Sequence, residues 1–183
     1  MDILHDSSPE ELHAENWFAV YTKPRAEKKF KSFLDKFSIQ NYLPLITIKK
    51  KWSDRTKIIE TPLFTSYVFV KIIYWRDYKK VMGLPQSVSF VSSYGKLAVV
   101  PEGEIQLIRD LITEFPDKLK AFEKEMLQKG KEVLIRSGPF AGKKGIIQKL
   151  KNETYVLLEI KSIEKVIRVE VNREFLDLSP IPV

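Results

Sequence analysis

The stretch SGPFAGKKG, residues 137–145, is where glycine and lysine spacing comes closest to phosphate chemistry. A phosphate-cradling loop needs four residues between its glycines, then a lysine and a hydroxyl residue, all set between a strand and a helix. Here Gly138 and Gly142 enclose only three residues, Lys144 stands where the hydroxyl belongs, and a strand-like run follows. The nucleotide-hydrolysing reading fails on each count. The same residues suit a turn, because glycine tolerates positive φ, Pro139 fixes the entry, and Gly145 lets the chain re-enter a small barrel where a side chain would crowd it. Other catalytic chemistry is scarce. The chain has no cysteine, and its two histidines, His5 and His13, both lie in the first sixteen residues, so the body lacks thiolates and the usual metal ligand and general base. We expect no metal, no cofactor and no enzymatic activity.

What remains is binding chemistry. The chain of 183 residues carries a formal charge of +7, and residues 1–16 hold five acids and no base, so the excess of bases on the body is larger still. A basic body suits an anionic partner such as nucleic acid, or it is a solvated surface. The densest cluster is Lys49, Lys50, Lys51, Arg55 and Lys57 in a hairpin around Ser53 and Asp54. Trp52 within it is either a stacking surface for bases or a packing residue. No apolar run reaches the length of a membrane span and the N-terminus does not read as a secretory signal, so a cytoplasmic protein with no membrane partner is expected.

The elements that must position these residues follow from periodicity. Ser8, Pro9 and Glu11 have the order of a helix cap over about 9–14. Residues 17–22 read as an apolar strand, and Ala26, Phe30, Phe33, Leu34 and Phe37 then fall on one helical face. Residues 41–48 read as a strand interrupted by Pro44. Residues 63–73 are β-branched, aromatic and apolar on both faces, which places them in the centre of a sheet. A short helix over 76–82, a strand over 87–91, and a helix burying Ile105, Ile108, Leu111, Ile112 and Phe115 complete an α/β sandwich of an antiparallel sheet flanked by helices. Residues 117–130 read as a partly helical linker. Beyond Gly130, five short alternating runs without a helix predict a small five-stranded β-barrel, so the fold class is α+β. The expected organisation is an acidic extension over 1–16, a first domain over 17–116, the linker over 117–130 and a second domain over 131–183.

GKEVLIRSGPFAGKKGII resembles a KOW motif, the strand-turn-strand of SH3-like barrels. WFAVYTKPRAEKKF, NYLPLI, PLFTSYVFV and SFVSSYGKLAVVPEGEI resemble, in order, successive segments of the N-terminal domain of the NusG/RfaH family. Together the two resemblances cover residues 17 to 180. YTKPR, NYLP and the departure of FTSY from the family's phenylalanine-proline-glycine-tyrosine look more like the specialised RfaH and UpxY paralogues than the housekeeping factor.

The resemblance implies binding without catalysis, in a monomeric transcription elongation and antitermination factor. Tyr21, Phe64, Tyr67, Phe69, Phe90 and Tyr94 would line an aromatic depression for the clamp helices of RNA polymerase, though each ring can equally belong to the core. Asp77, Tyr78 and Lys79 would lie near a second contact, the gate loop. Lys23, Arg25 and Lys29 would face the non-template DNA strand, or else water. Phe140 and Ile163 match barrel positions that bind a small-subunit ribosomal protein or Rho, and the surroundings KSIEK depart from the housekeeping pattern. The barrel of RfaH can also refold into a helical hairpin; the alternation here favours the barrel. The alternative function is a KOW-type RNA- or ribosome-binding protein acting in translation or ribosome assembly.

Overall fold

The computed structural model describes residues 9–51, 55–93, 95–123, 131–135, 141–142, 144–150 and 153–171. The chain runs α1 (Pro9–His13), β1 (Glu15–Thr22), α2 (Glu27–Lys36), β2 (Asn41–Tyr42), β3 (Leu45–Lys51), β4 (Thr56–Pro62), β5 (Tyr67–Ile73), α3 (Tyr74–Met82), β6 (Ser87–Phe90), β7 (Ser92–Ser93), β8 (Lys96–Leu97), β9 (Val99–Val100) and α4 (Glu102–Glu114). It continues through β10 (Leu119–Glu123), β11 (Lys131–Leu134), β12 (Lys144–Leu150), β13 (Glu153–Ile160), a 3₁₀ turn (Lys161–Ile163) and β14 (Lys165–Val171). The fold is α+β.

The first sheet is antiparallel in the order β2-β5-β1-β6, with β9 also pairing β1. Strand β5 lies inside it, as its two apolar faces require. Register pairs Phe18 with Val70 and Val20 with Val68, so these residues share one face, while Ala19 and Phe69 are paired on the other. The first face packs with Phe30 and Leu34 of α2, Tyr74 and Val81 of α3, and Leu12 of α1. Leu12 is buried, so α1 packs on the domain through this residue. The second face, with Trp17 and Phe69, is covered by Ile105, Ile108 and Leu111 of α4. Pro44 divides the expected strand over 41–48 into β2 and β3, because proline cannot donate to a ladder. Strand β3 then leaves the sheet and pairs with β4 as a two-stranded ribbon, its Thr47 N–H donating to the Pro116 carbonyl at 3.0 Å.

The second sheet runs β10-β14-β13-β12-β11. Its edge strand β10 corrects the sequence reading: residues 119–123 fall in the segment expected to be a partly helical linker, yet they pair with β14, Leu119 opposite Val169 and Ala121 opposite Ile167. Leu119 and Ala121 alternate as a strand requires, and burying them against the sheet outweighs the weak helical stripe of Leu119 and Phe122. The fifth run read from sequence, FLDLS, lies outside the described residues. A single apolar cluster joins the two sheets, from Trp17, Phe69 and Leu111 to Leu119, Ile135, Val156 and Ile167.

Of the glycine loop, residues 141–142 form a turn and residues 144–145 begin a strand, while Gly138 and Pro139 lie outside the described residues. Gly142 has φ +80° and its N–H donates to the Ile135 carbonyl at 2.7 Å. Strand β12 follows, where a nucleotide loop would need a helix. A Cβ on Gly145 would lie 3.0 Å from Val156 Cγ1 and 3.3 Å from the Leu157 carbonyl oxygen. Gly145→Ala is therefore expected to cost about 1–3 kcal/mol through overpacking. Thermal unfolding checks it, and an unchanged Tm would show that β12 and β13 separate without strain.

Candidate functional site

Tyr21, Phe64, Tyr67 and Phe69 come together on the α4 side of the first sheet. They form a gradient from core to surface. Phe64 and Phe69 are buried and meet edge to face with centroids 6.1 Å apart. Tyr67 is half-buried and meets Tyr21 edge to face at 5.3 Å. Tyr21 is 40% exposed and forms the rim. Alternation explains the set, since Tyr21 stands opposite Tyr67 and Ala19 opposite Phe69 on this face. Phe90 does not join them. It pairs with Val20 and so points to the opposite face, where it packs edge-on against Phe18 at 6.1 Å and stacks on Tyr78 at 5.7 Å. Tyr94 lies outside the described residues.

Tyr78 is 40% exposed beside Phe90, and Lys79 is exposed. Beneath them Tyr74 contacts both Tyr78 and Phe90 at 5.1 Å, and burial pushes its hydroxyl up to about 12. Asp77 is engaged in holding α3: it accepts the Ile73 N–H at 3.2 Å and two guanidinium hydrogen bonds from Arg76 at 3.0 and 2.8 Å. The Arg76 contact holds its carboxyl below the usual range, with the Ile73 N–H adding to it. A carboxylate depressed in the fold stabilises it at every pH above the unfolded value of about 3.9, and that stability disappears as pH falls through the lower folded value. Melting temperature should therefore hold steady from neutral pH to about pH 5 and fall below about pH 4. Asp77→Asn should lower the neutral-pH Tm and flatten the acid limb; an unaltered acid limb would assign it to other carboxylates.

Lys23, Arg25 and Lys29 are exposed at the end of the first sheet. Their turn is bolted down by its backbone. Thr22 N–H donates to the Ser66 carbonyl at 2.8 Å, and Lys23 N–H to the Gln86 carbonyl at 3.0 Å. Arg25, Ser66 and Gln86 all adopt positive φ, at 61°, 65° and 79°. Ser66 stands within FTSY where the resembling family carries glycine, and buried Glu27 holds it by accepting its N–H at 2.6 Å. Sequence reasoning passed over Glu27, because an acid in a first helical turn reads as solvated until its acceptor role is seen. Lys49, Lys50, Lys51, Arg55 and Lys57 are all exposed on the β3–β4 ribbon, and Trp52 lies outside the described residues.

On the second sheet, Phe140 lies outside the described residues. Ile163 is buried, and its 3₁₀ turn is seated against β7 and β9 of the first domain. Glu104 of α4 accepts the backbone N–H groups of Lys161 and Ser162 at 3.1 and 3.4 Å and the Ser162 hydroxyl. The Ser93 hydroxyl donates to Glu164, and the Lys165 ammonium lies 4.8 Å from the Tyr67 ring centroid. The turn at Ile163 and the Tyr21–Tyr67 end of the ring face thus belong to one seam. Glu104, Glu164 and Lys165 were not identifiable from sequence, since nothing local marks a residue whose partner sits on another domain. Among the described residues, no group of three or more histidines, cysteines or carboxylates could hold a metal ion, and no helix is long and apolar enough to cross a membrane.

Comparison with known proteins agrees with this arrangement. The family model described as transcription termination factor nusG matches residues 15–109, just over half of the chain, and the KOW motif matches residues 129–161. The transcription termination/antitermination proteins NusG of Staphylococcus aureus strains Mu50 and N315 are each 28% identical over 90% of this chain and 97% of their own. A solved structure concerning domain interaction in Thermotoga maritima NusG shares the fold, with a TM-score of 0.59 at 21% identity, covering 91% of this chain and 98% of that one. Proteins of this kind are non-enzymatic transcription factors. With both models matched in order, and with the α/β sandwich preceding the KOW sheet, the chain belongs to the NusG family of transcription termination/antitermination factors.

Proposed function

We propose that this protein is an elongation and antitermination factor that docks on the clamp helices of RNA polymerase through the Tyr21–Tyr67 rim and suppresses pausing or termination. The observation that carries this reading is the ring gradient: Phe64 and Phe69 anchor a rigid floor, and Tyr21 presents 40% of its surface beside it. Such rings bring large apolar area to an interface with little rotamer entropy to lose. Tyr78 and Lys79 suit a second contact at the gate loop, with Asp77 holding their helix in place. Lys23, Arg25 and Lys29 face the non-template strand, where phosphates would neutralise them. The first domain spans 17–116 and the second 131–183, with the intervening segment lending β10 to the second sheet. The second domain recruits a small-subunit ribosomal protein or Rho through Ile163 and Phe140, and the seam holds Ile163 back until the domains part. The factor acts in the cytoplasm as a monomer, and FTSY with YTKPR favours a specialised paralogue.

Capture of RNA polymerase by the immobilised chain at moderate salt tests the docking surface. Tyr21→Ala should weaken binding roughly tenfold, about 1.4 kcal/mol, with little change in Tm because the ring is a rim residue. Undiminished capture would remove Tyr21 from the docking surface. Loss of wild-type capture as salt rises would favour a purely phosphate-driven binder, as the ribosome- or RNA-binding alternative requires.

A further inference from the structure

Glu27 lies in the first turn of α2, where a carboxylate is ordinarily left in water, yet it is only 4% exposed. We propose that it is a positioning residue: by holding Ser66 it locks the loop before β5 to the turn after β1, so that the Tyr21–Tyr67 rim and the bases Lys23 and Arg25 are presented as one rigid unit. The inference rests on the docking reading above and adds the group that sets the docking face.

The first observation is where polarity is buried. Among the described residues, the buried polar and charged side chains are Thr22, Glu27, Ser66 and Lys165. The first three belong to one bracket and the fourth lies over the Tyr67 ring, so they gather around a single loop. A carboxylate withdrawn from water costs free energy that an apolar residue would not, so stability alone does not call for it. What it supplies is direction. Glu27 Oε1 accepts the Ser66 N–H at 2.6 Å, the Ser66 carbonyl accepts the Thr22 N–H at 2.8 Å, and the Lys23 N–H continues to the Gln86 carbonyl at 3.0 Å.

The second observation is strain. Each of the three loops joined in this way carries a left-handed residue that is not glycine: Arg25, Ser66 and Gln86. Such residues persist where their surroundings over-determine them, and they cluster at functional sites. Glycine at 66 would adopt this conformation freely and leave it as freely, whereas serine is held there by the Glu27 acceptor.

The third is what lies at the two ends. Tyr67 follows Ser66 directly, closes the loop through its N–H to the Phe64 carbonyl at 3.3 Å, and meets Tyr21 ring to ring. The β1–β5 ladder ends at Tyr21 opposite Tyr67, and the Thr22–Ser66 hydrogen bond extends it past the rim to the turn that bears Lys23 and Arg25. A face whose parts are locked together in this way loses little freedom on binding.

Hydrogen exchange followed residue by residue by NMR on the full chain, without polymerase, reads the bracket. Glu27→Ala should speed exchange of the Thr22 and Lys23 amides roughly tenfold, as well as that of Ser66. Glu27→Gln keeps an acceptor in place and should exchange like wild type. Glu27→Asp keeps the carboxylate but draws it back, and should behave like Glu27→Ala in a chain whose helix start is undisturbed. Faster exchange at Ser66 alone would overturn the bracket, and polymerase plays no part in that result. Capture of polymerase, measured well below the Tm of each variant, reads the role: Glu27→Ala and Glu27→Asp should weaken it roughly tenfold and Glu27→Gln should restore it. Undiminished capture by folded Glu27→Ala, with Tyr21→Ala impaired, would show a bracket that serves stability alone. If Tyr21→Ala also captures normally, the docking reading is what fails, and exchange at Thr22 and Lys23 still decides the bracket.

Discussion

Phe69→Ala is expected to destabilise the protein by about 3–5 kcal/mol, a loss that lowers the melting temperature by roughly 10 °C or more in a chain of this size. Phe69 is fully buried, sits opposite Ala19 in the centre of the first sheet, and meets Phe64 edge to face and Tyr42 in a stacked contact at 6.3 Å. Truncation would leave a cavity between that sheet and Leu111 of α4, which belongs to the same apolar cluster. Chemical denaturation and thermal melting by circular dichroism measure it directly. A small loss would mean that α4 collapses onto the sheet and that Phe69 is not a structural anchor. The result separates two roles that aromatic residues on one strand can play. Phe69 and Phe64 hold the floor, so weakened polymerase binding in their variants would report unfolding, whereas Tyr21 reports docking.

Ile163→Asp is expected to open the seam between the domains. Ile163 is buried at the end of a turn whose N–H groups are clasped by Glu104, and its neighbour Glu164 receives the Ser93 hydroxyl. A carboxylate placed there would be buried, and Glu104 and Glu164 already bring negative charge to the turn. An unpaired buried charge costs at least about 2 kcal/mol, enough to shift a closed equilibrium some thirtyfold toward separation. The variant should show easier proteolysis between the domains, a larger radius by small-angle scattering, and stronger capture of polymerase as Tyr67 loses its cover from Lys165. Glu104→Gln, which keeps the shape and removes the charge-assisted acceptor, should open the seam less. If the Ile163→Asp chain stays as compact as wild type and captures no more polymerase, the seam does not restrain the docking face.

The comparison of Tyr67 with Phe90 shows where reading the chain succeeds and where it stops. Both rings lie in strands, and both were grouped from the resemblance into one depression. Tyr67 falls on that face and Phe90 on the other, packed with Tyr74 and Tyr78. Strand β6 cannot announce its face, because helices cover both sides of the sheet and an apolar residue is suited to either. The register with β1 decides it, and a shift between Tyr21 and Thr22 breaks simple counting along the strand.

Local physics, acting within a few residues, sufficed for most of the scaffold. Periodicity identified α2 through Phe30 and Leu34 and α4 through Ile105, Ile108 and Leu111; the two apolar faces of β5 placed it inside a sheet; and Gly145 was legible as a point of close approach. These properties belong to side-chain spacing and backbone freedom, which the chain carries wherever it goes. Folding in three dimensions decided the rest: that 119–123 becomes an edge strand of the second sheet, that Glu27 supports Ser66, and that Ile163 lies in a seam held by Glu104. Each depends on a partner far along the chain, and the free energy of such a contact is set by the partner's position, which no local pattern encodes.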